Sequence, residues 1–137
     1  MARIVLTDAK IVIGGVNLSD HITSVSLSTS EDVLDTTGFG VGAARTRVAG
    51  LADNSVTLEF NQDFAASSVE ATIYPLLGTL TTVVVTPTSA TGGTATNPSY
   101  TFSALVSEWQ PLSGAVGELA TVSTTWPISG AITKAAV

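Results

Sequence analysis

His21 is the only histidine in the chain, and it stands beside Asp20. With one of the many serines, these residue types would supply a hydrolase triad, in which an imidazole takes the proton of an activated hydroxyl. The sequence has no G-x-S-x-G elbow to expose such a serine, and its serines are strung along strand-like segments. His21 is therefore expected at a corner, making structural hydrogen bonds. Glu31, Asp32 and Asp35 form the densest acidic cluster. A calcium loop needs oxygen ligands on a curled backbone with a glycine at the bend. Here the segment reads as extended, with Glu31 and Asp35 on one face and Asp32 on the other. The expectation is a solvated rim, or a patch that pairs with Arg45 and Arg47 of a neighbour. Gly38-Phe39-Gly40-Val41-Gly42 has fingerprint-like glycines, but a strand follows it and not the helix that dinucleotide binding requires. Glu59, Glu70, Glu108 and Glu118 are numerous enough for a glycosidase, yet no spacing selects a pair. Trp109 and Trp126 could stack on sugars, but rings that large gain most from burial, and both are expected to cap a core or an interface. With no cysteine, thiolate metal sites, thiol nucleophiles and disulfides are excluded. No catalytic, cofactor-binding or metal-ligating residue is expected, no cofactor is implied, and the chain reads as a non-enzyme.

The elements that carry these residues are mostly strands. Between Ile22 and Ser30 the alternation is nearly unbroken: Ser24, Ser26, Ser28 and Ser30 on one side, Val25 and Leu27 on the other. Period two sends successive side chains to opposite faces, so this strand has one wet and one buried face. It is expected to run to about residue 36. The same pattern returns at 55–61, 100–107 and 120–126. Lys10-Ile11-Val12-Ile13, Gly14-Gly15, Val16-Asn17-Leu18 reads as a tight hairpin. Residues 36–44 are the most flexible stretch, 45–49 returns as a strand, and 50–54 reads as a turn. One helix is expected over 67–77. Ser67 and Glu70 have capping-box spacing, Val69, Ile73, Leu76 and Leu77 form an apolar stripe, Pro75 kinks the end, and Gly78 stops it. Residues 80–87 form a β-branched strand, 88–99 a polar loop, and 128–137 a small-residue tail that adds an edge strand or stays loose.

Composition narrows the class of function. The 137 residues suit one domain, 1–137, large enough to bury a core. Charged residues are 12% and mean hydropathy is +0.44, the opposite of a disordered chain. No apolar run approaches the ~20 residues of a membrane span, and the first residues are too quickly interrupted to be expected as a signal peptide. Net charge is −6, with Arg3, Lys10, Arg45, Arg47 and Lys134 as the only cations. A protein that grips nucleic acid clusters its cations against phosphates. This chain cannot.

Several blocks, in order, resemble one family. They are Gly15-Val16-Asn17-Leu18-Ser19-Asp20-His21, Asp35-Thr36-Thr37-Gly38-Phe39-Gly40 and Arg45-Thr46-Arg47-Val48-Ala49-Gly50. In the second half come Glu59-Phe60-Asn61-Gln62-Asp63-Phe64, Tyr74-Pro75-Leu76-Leu77-Gly78 and the run from Ala120 to Trp126-Pro127. Together they look like the major tail proteins of long-tailed phages, nearest to those of actinobacteriophages, over almost the whole chain. The resemblance implies a mainly β fold: a β-sandwich or partly open barrel with one short flanking α-helix. It also implies hexameric rings that stack into a tail tube, assembled in the host bacterial cytoplasm and carried in the virion. The partners would be other copies of the chain and tail proteins such as the terminator and the distal tail protein. DNA would pass without specific binding, and no membrane is involved.

Parity then proposes residues for each surface. Ser24, Ser26, Ser28, Ser30 and Asp32 are candidates to line the lumen, with Thr57, Glu59 and Asn61 next. Thr37, Gly38, Phe39, Gly40, Val41, Arg45 and Arg47 are candidates for contact with the adjacent ring, because this glycine-rich, apolar segment has nothing local to bury it. Two other readings accompany this one. One is a different virion β-sandwich component, a tail terminator or capsid decoration protein. The other is a carbohydrate-binding or adhesin module resting on the two tryptophans.

Overall fold

The computed structural model describes residues 5–40, 42–66, 68–90 and 92–135. Seven strands form one antiparallel sheet: β1 (Lys10–Ile13), β2 (Val16–Asn17), β3 (Ile22–Asp35), β4 (Arg47–Asn61), β5 (Leu80–Thr86), β6 (Ser99–Leu105) and β7 (Thr121–Ala135). Their spatial order is β2-β1-β5-β6-β7-β4-β3. The sheet is curled, since Val25 and Leu27 of β3 share a cavity with Val85 of β5, four strands away in that order. Within the curl lies a single core that includes Ile11, Val83, Phe102, Val122, Trp126 and Phe60. The mainly β, partly open architecture expected from the alternation is the one observed, and the two layers are limbs of one sheet. Among the described residues, no helix is long and apolar enough to cross a membrane.

Local chemistry sets each element. Gly14 and Gly15 take φ of 59° and 86°, the paired left-handed angles of a tight hairpin that other residues reach only at a cost. The helix is shorter than expected: α1 spans Val69–Ile73, and a 3-10 turn, Tyr74–Leu76, completes it. Pro75 is the cause, because it offers no amide to continue the α pattern. Ser67 of the expected capping box lies outside the described residues. Val69 and Ile73 are fully buried and Leu76 packs on the core, whereas Leu77 is exposed, so the buried stripe ends one residue earlier than the spacing suggested. Truncating Ile73 to Ala is expected to cost ~2–5 kcal/mol. A thermal melt of that variant at wild-type temperature would show that α1 does not seal the core.

Three boundaries differ from the sequence reading. Residues 50–54 are not a turn but the middle of β4. Here the register slips, Glu31 pairing with Ala52 and Val33 with Ala49, so β4 carries one extra residue opposite Asp32. Gly50 makes the bulge compact, for a Cβ there would sit 3.0 Å from that of Asp32. Residues 128–135 are neither loose nor a separate edge strand. They continue β7 along β6, with Ser99 opposite Ala135, while the β4 ladder stops at Ile128, and Gly130 at φ 90° marks a further bulge. β6 ends at Leu105; beyond it Val106 still exchanges backbone hydrogen bonds with Gly78 and Thr79, and the chain to Trp109 belongs to no strand.

Candidate functional site

Two surfaces stand out. The first is the outward face of the sheet. Ser24, Ser26, Ser28 and Ser30 lie directly opposite Glu59, Thr57, Ser55 and Asp53 across the β3–β4 ladder. The rows continue onto β7, where Thr57 faces Thr125, Glu59 faces Ser123 and Asn61 faces Thr121. Thr57 and Thr125 share a hydrogen bond of 3.1 Å. Their neighbours Val56, Leu58 and Phe60 are fully buried, so the hydroxyl set is the face turned from the core. Sequence parity named the β3 serines with Thr57, Glu59 and Asn61 of β4, but not Asp53 and Ser55 of β4 or Thr121, Ser123 and Thr125 of β7. The clean alternation of β7 was the signal that could have added its members. Asp32 stands apart from the rows on the sheet, out beyond the last β7 pair at Asn54, on a ribbon of two strands.

That ribbon is the second surface. Past Asn54 only β3 and β4 hold one another, and the arm they form leaves the sheet. Val33, Leu34, Val48 and Leu51 are exposed along it, and Phe39 at its tip is wholly so. The base of the tip is well tied: the Thr36 amide donates to the Thr46 carbonyl at 2.9 Å, and the Thr46 amide donates to Thr37 Oγ1 at 2.9 Å. Arg45 Nη1 donates to Asp35 Oδ2 at 2.7 Å. The acidic cluster thus spends Asp35 on a cation of its own chain, where a solvated rim or a cation of a neighbour was expected. The Thr37 hydroxyl and amide, followed by Arg45, hold the Asp35 carboxyl below its ordinary value. Thr37, Gly38, Phe39, Gly40, Arg45 and Arg47 all fall on this arm, and Val41 lies outside the described residues. An isolated two-stranded ribbon is marginal in water, and apolar side chains on both of its faces call for a partner.

No protein-family model matches the sequence, and no curated protein matches it. Solved structures match the fold. A chain in the virion of a native gene transfer agent aligns with a TM-score of 0.69 at 12% identity, over 92% of this chain and 95% of that one. A chain in the tail of an empty gene transfer agent particle, from helical refinement with C6 symmetry, aligns at 0.61 and 15% identity, over 82% and 81%. A chain in the six-fold symmetrised baseplate of the anti-feeding prophage aligns at 0.62 and 11% identity, over 99% and 98%. This chain shares the fold of those chains.

Within that fold the side chains that could do chemistry are occupied with structure. One ring nitrogen of His21, Nε2, meets Ser68 Oγ at 3.2 Å, Asp63 Oδ2 at 3.4 Å and Asp20 Oδ1 at 3.6 Å. A triad divides the serine and the carboxylate between the two ring nitrogens, so this cluster is a clasp between the corner before β3 and the approach to α1. The Ala65 amide, then the Ser68 hydroxyl and His21, lower the Asp63 pKa. Glu70 Oε2 accepts from Trp109 Nε1 at 2.8 Å, and the Glu108 carbonyl accepts from Trp126 Nε1 at 3.0 Å. Both indoles are buried, which removes the exposed rings a sugar-binding reading needs. The described residues hold no cluster of three or more groups suited to a metal.

Proposed function

We propose that this chain is a tail-tube subunit, a structural virion protein without catalytic activity. Copies join side by side into six-membered rings, and the rings stack into the channel through which the genome leaves. The observation that carries this reading is β3, a 14-residue strand at the edge of the sheet with no partner on its outer side among the described residues. A long, lysine-free edge invites pairing with another chain, and closure of a ring consumes it. The C6 symmetry of the like-folded tail chain supports six copies. The hydroxyl face then lines the lumen and the arm reaches the adjacent ring. At the tube ends the partners are a terminator and a distal tail protein.

Hydroxyls and scattered carboxylates give phosphates no cation to hold, so DNA slides past them. Replacing Ser26 and Ser28 by Lys is expected to spare folding and assembly, and to slow genome ejection several-fold at low salt, with recovery as salt rises. Ejection at the wild-type rate in low salt would remove these serines from the lumen. Electron micrographs of the purified protein separate the alternatives: a terminator stops at one ring, whereas a tube protein polymerises. A capsid decoration protein forms neither.

A further inference from the structure

The two ends of the curled sheet differ. At one end α1 seals the core with Val69 and Ile73. At the other, from which the arm projects, the sheet stays open. A cavity of about 640 Å³ lies there between β3 and the β5–β7 wall, lined by Val25, Leu27, Val85, Tyr100 and Ile132. That volume is within the roughly 300–1,000 Å³ of ligand pockets. Asn54 borders it and is only 5% exposed. Its Nδ2 donates to the Gly130 carbonyl at 3.1 Å, which fixes the amide's orientation and leaves Oδ1 buried with no donor. Oδ1 is closed to solvent, so Asn54 belongs to the wall, and the occupant this mouth fits is an apolar one.

The sealed end presents such an object. Gln62 pins both ends of the 111–120 loop: its Nε2 donates to the Pro111 carbonyl at 2.6 Å and its backbone amide to the Ala120 carbonyl at 3.0 Å. Between the pins Leu112, Val116 and Leu119 are exposed, and Val116 is wholly so. Charges match as well. Glu118 on this loop and Lys134 at the mouth have no ion pair among the described residues. Glu31, also at the mouth, is exposed and can keep its water.

We propose that the 111–120 loop of a second copy enters this mouth. Its leucines and Val116 cover the apolar wall, and Glu118 meets Lys134. The inference rests on the tube-forming reading above and specifies its head-to-tail contact. A patch at one end that fits a pocket at the other cannot close on itself with one partner, so copies line up in series.

The chain has no cysteine, so introduced thiols are unique. Protein carrying Ala131→Cys is mixed with protein carrying Val116→Cys, assembled, oxidised and run on a non-reducing gel. A cross-linked dimer is expected from the mixture and from neither variant alone, and Phe39→Cys mixed with Ala131→Cys should give none. Tubes that form without the 131–116 link overturn the docking while leaving the tube reading intact. A 131–39 link in its place assigns the mouth to a neighbour's arm and also overturns it. Absence of any tube or ring from the wild-type protein overturns the functional reading itself. As a second measure, Val116→Asp should keep the wild-type melting temperature and reduce stacking at least tenfold, and wild-type stacking by that variant counts against the proposal.

Discussion

Deletion of residues 38–42 is expected to leave a folded domain that makes no tubes. The arm contributes nothing to the core: every buried apolar side chain lies in or beside the rest of the sheet and α1. Among the described residues, its tip is held only to itself, by the Thr36–Thr46 and Thr37–Thr46 hydrogen bonds and by the Asp35–Arg45 ion pair. Removing exposed residues of this kind changes stability by about 0.5 kcal/mol or less, so thermal melts of deletion and wild type should nearly coincide. Assembly is another matter. Phe39 offers a whole aromatic ring to solvent, and burying such a ring against a partner is worth more than any other single contact the arm can make. Sedimentation and negative-stain imaging check the outcome. Tubes of normal length from the deletion variant would relieve the arm of its role. Phe39→Asp is the point version, and should lose the same assembly without shortening the chain.

The parts of the fold that were legible in the sequence are those dictated by local chemistry. The β3 alternation is a two-residue period over many residues, and the Gly14-Gly15 hairpin needs angles that glycine supplies freely. What was misread depended on partners distant in the chain. Gly50, Asp53 and Asn54 are turn-forming types, yet the long β3 ladder holds this stretch extended, joined at Asn54 by β7. Gly50 answers to Asp32 across a bulge, and Asn54 answers to Gly130, some 76 positions away. The last strand was read as ending at Trp126, just before Pro127. That proline stands opposite Ser55 and one residue past the last β6 pair at that end, Ala104 with Ile128, where one flank carries no ladder. The candidate surfaces were partly legible for the same reason. Parity placed four serines on one face, but only the register aligned them with Glu59, Thr57 and the β7 hydroxyls. The open mouth was invisible, because it exists only where the curl of seven strands leaves β3 apart from β5.

Replacement of Trp126 by Ala is expected to be the most damaging single truncation in the chain. The side chain is the largest of those fully buried, and it lies near Phe60, whose ring centroid is 6.4 Å away. Phe60 in turn meets Trp109 edge to face at 5.4 Å, so the three rings form the centre of the core where β4, β7 and the 106–109 segment converge. Removing the indole forfeits its burial and opens a cavity that these neighbours, held by the ladders, can fill only in part. The cost should be ~3–5 kcal/mol. It also leaves the Glu108 carbonyl with one donor, Thr124 Oγ1 at 3.2 Å, in place of two. At this chain length the melting temperature should fall by roughly 10–20 °C. Trp126→Phe separates the two contributions. It keeps one aromatic ring and loses the N–H with part of the indole's volume, so a smaller destabilisation, about 2 kcal/mol, is expected. Equal losses from the two variants would mean that the N–H and the outer part of the indole, and not the ring that Phe retains, hold the last strand to the segment beside it. A negligible loss from Trp126→Ala would displace this cluster from the centre of the core.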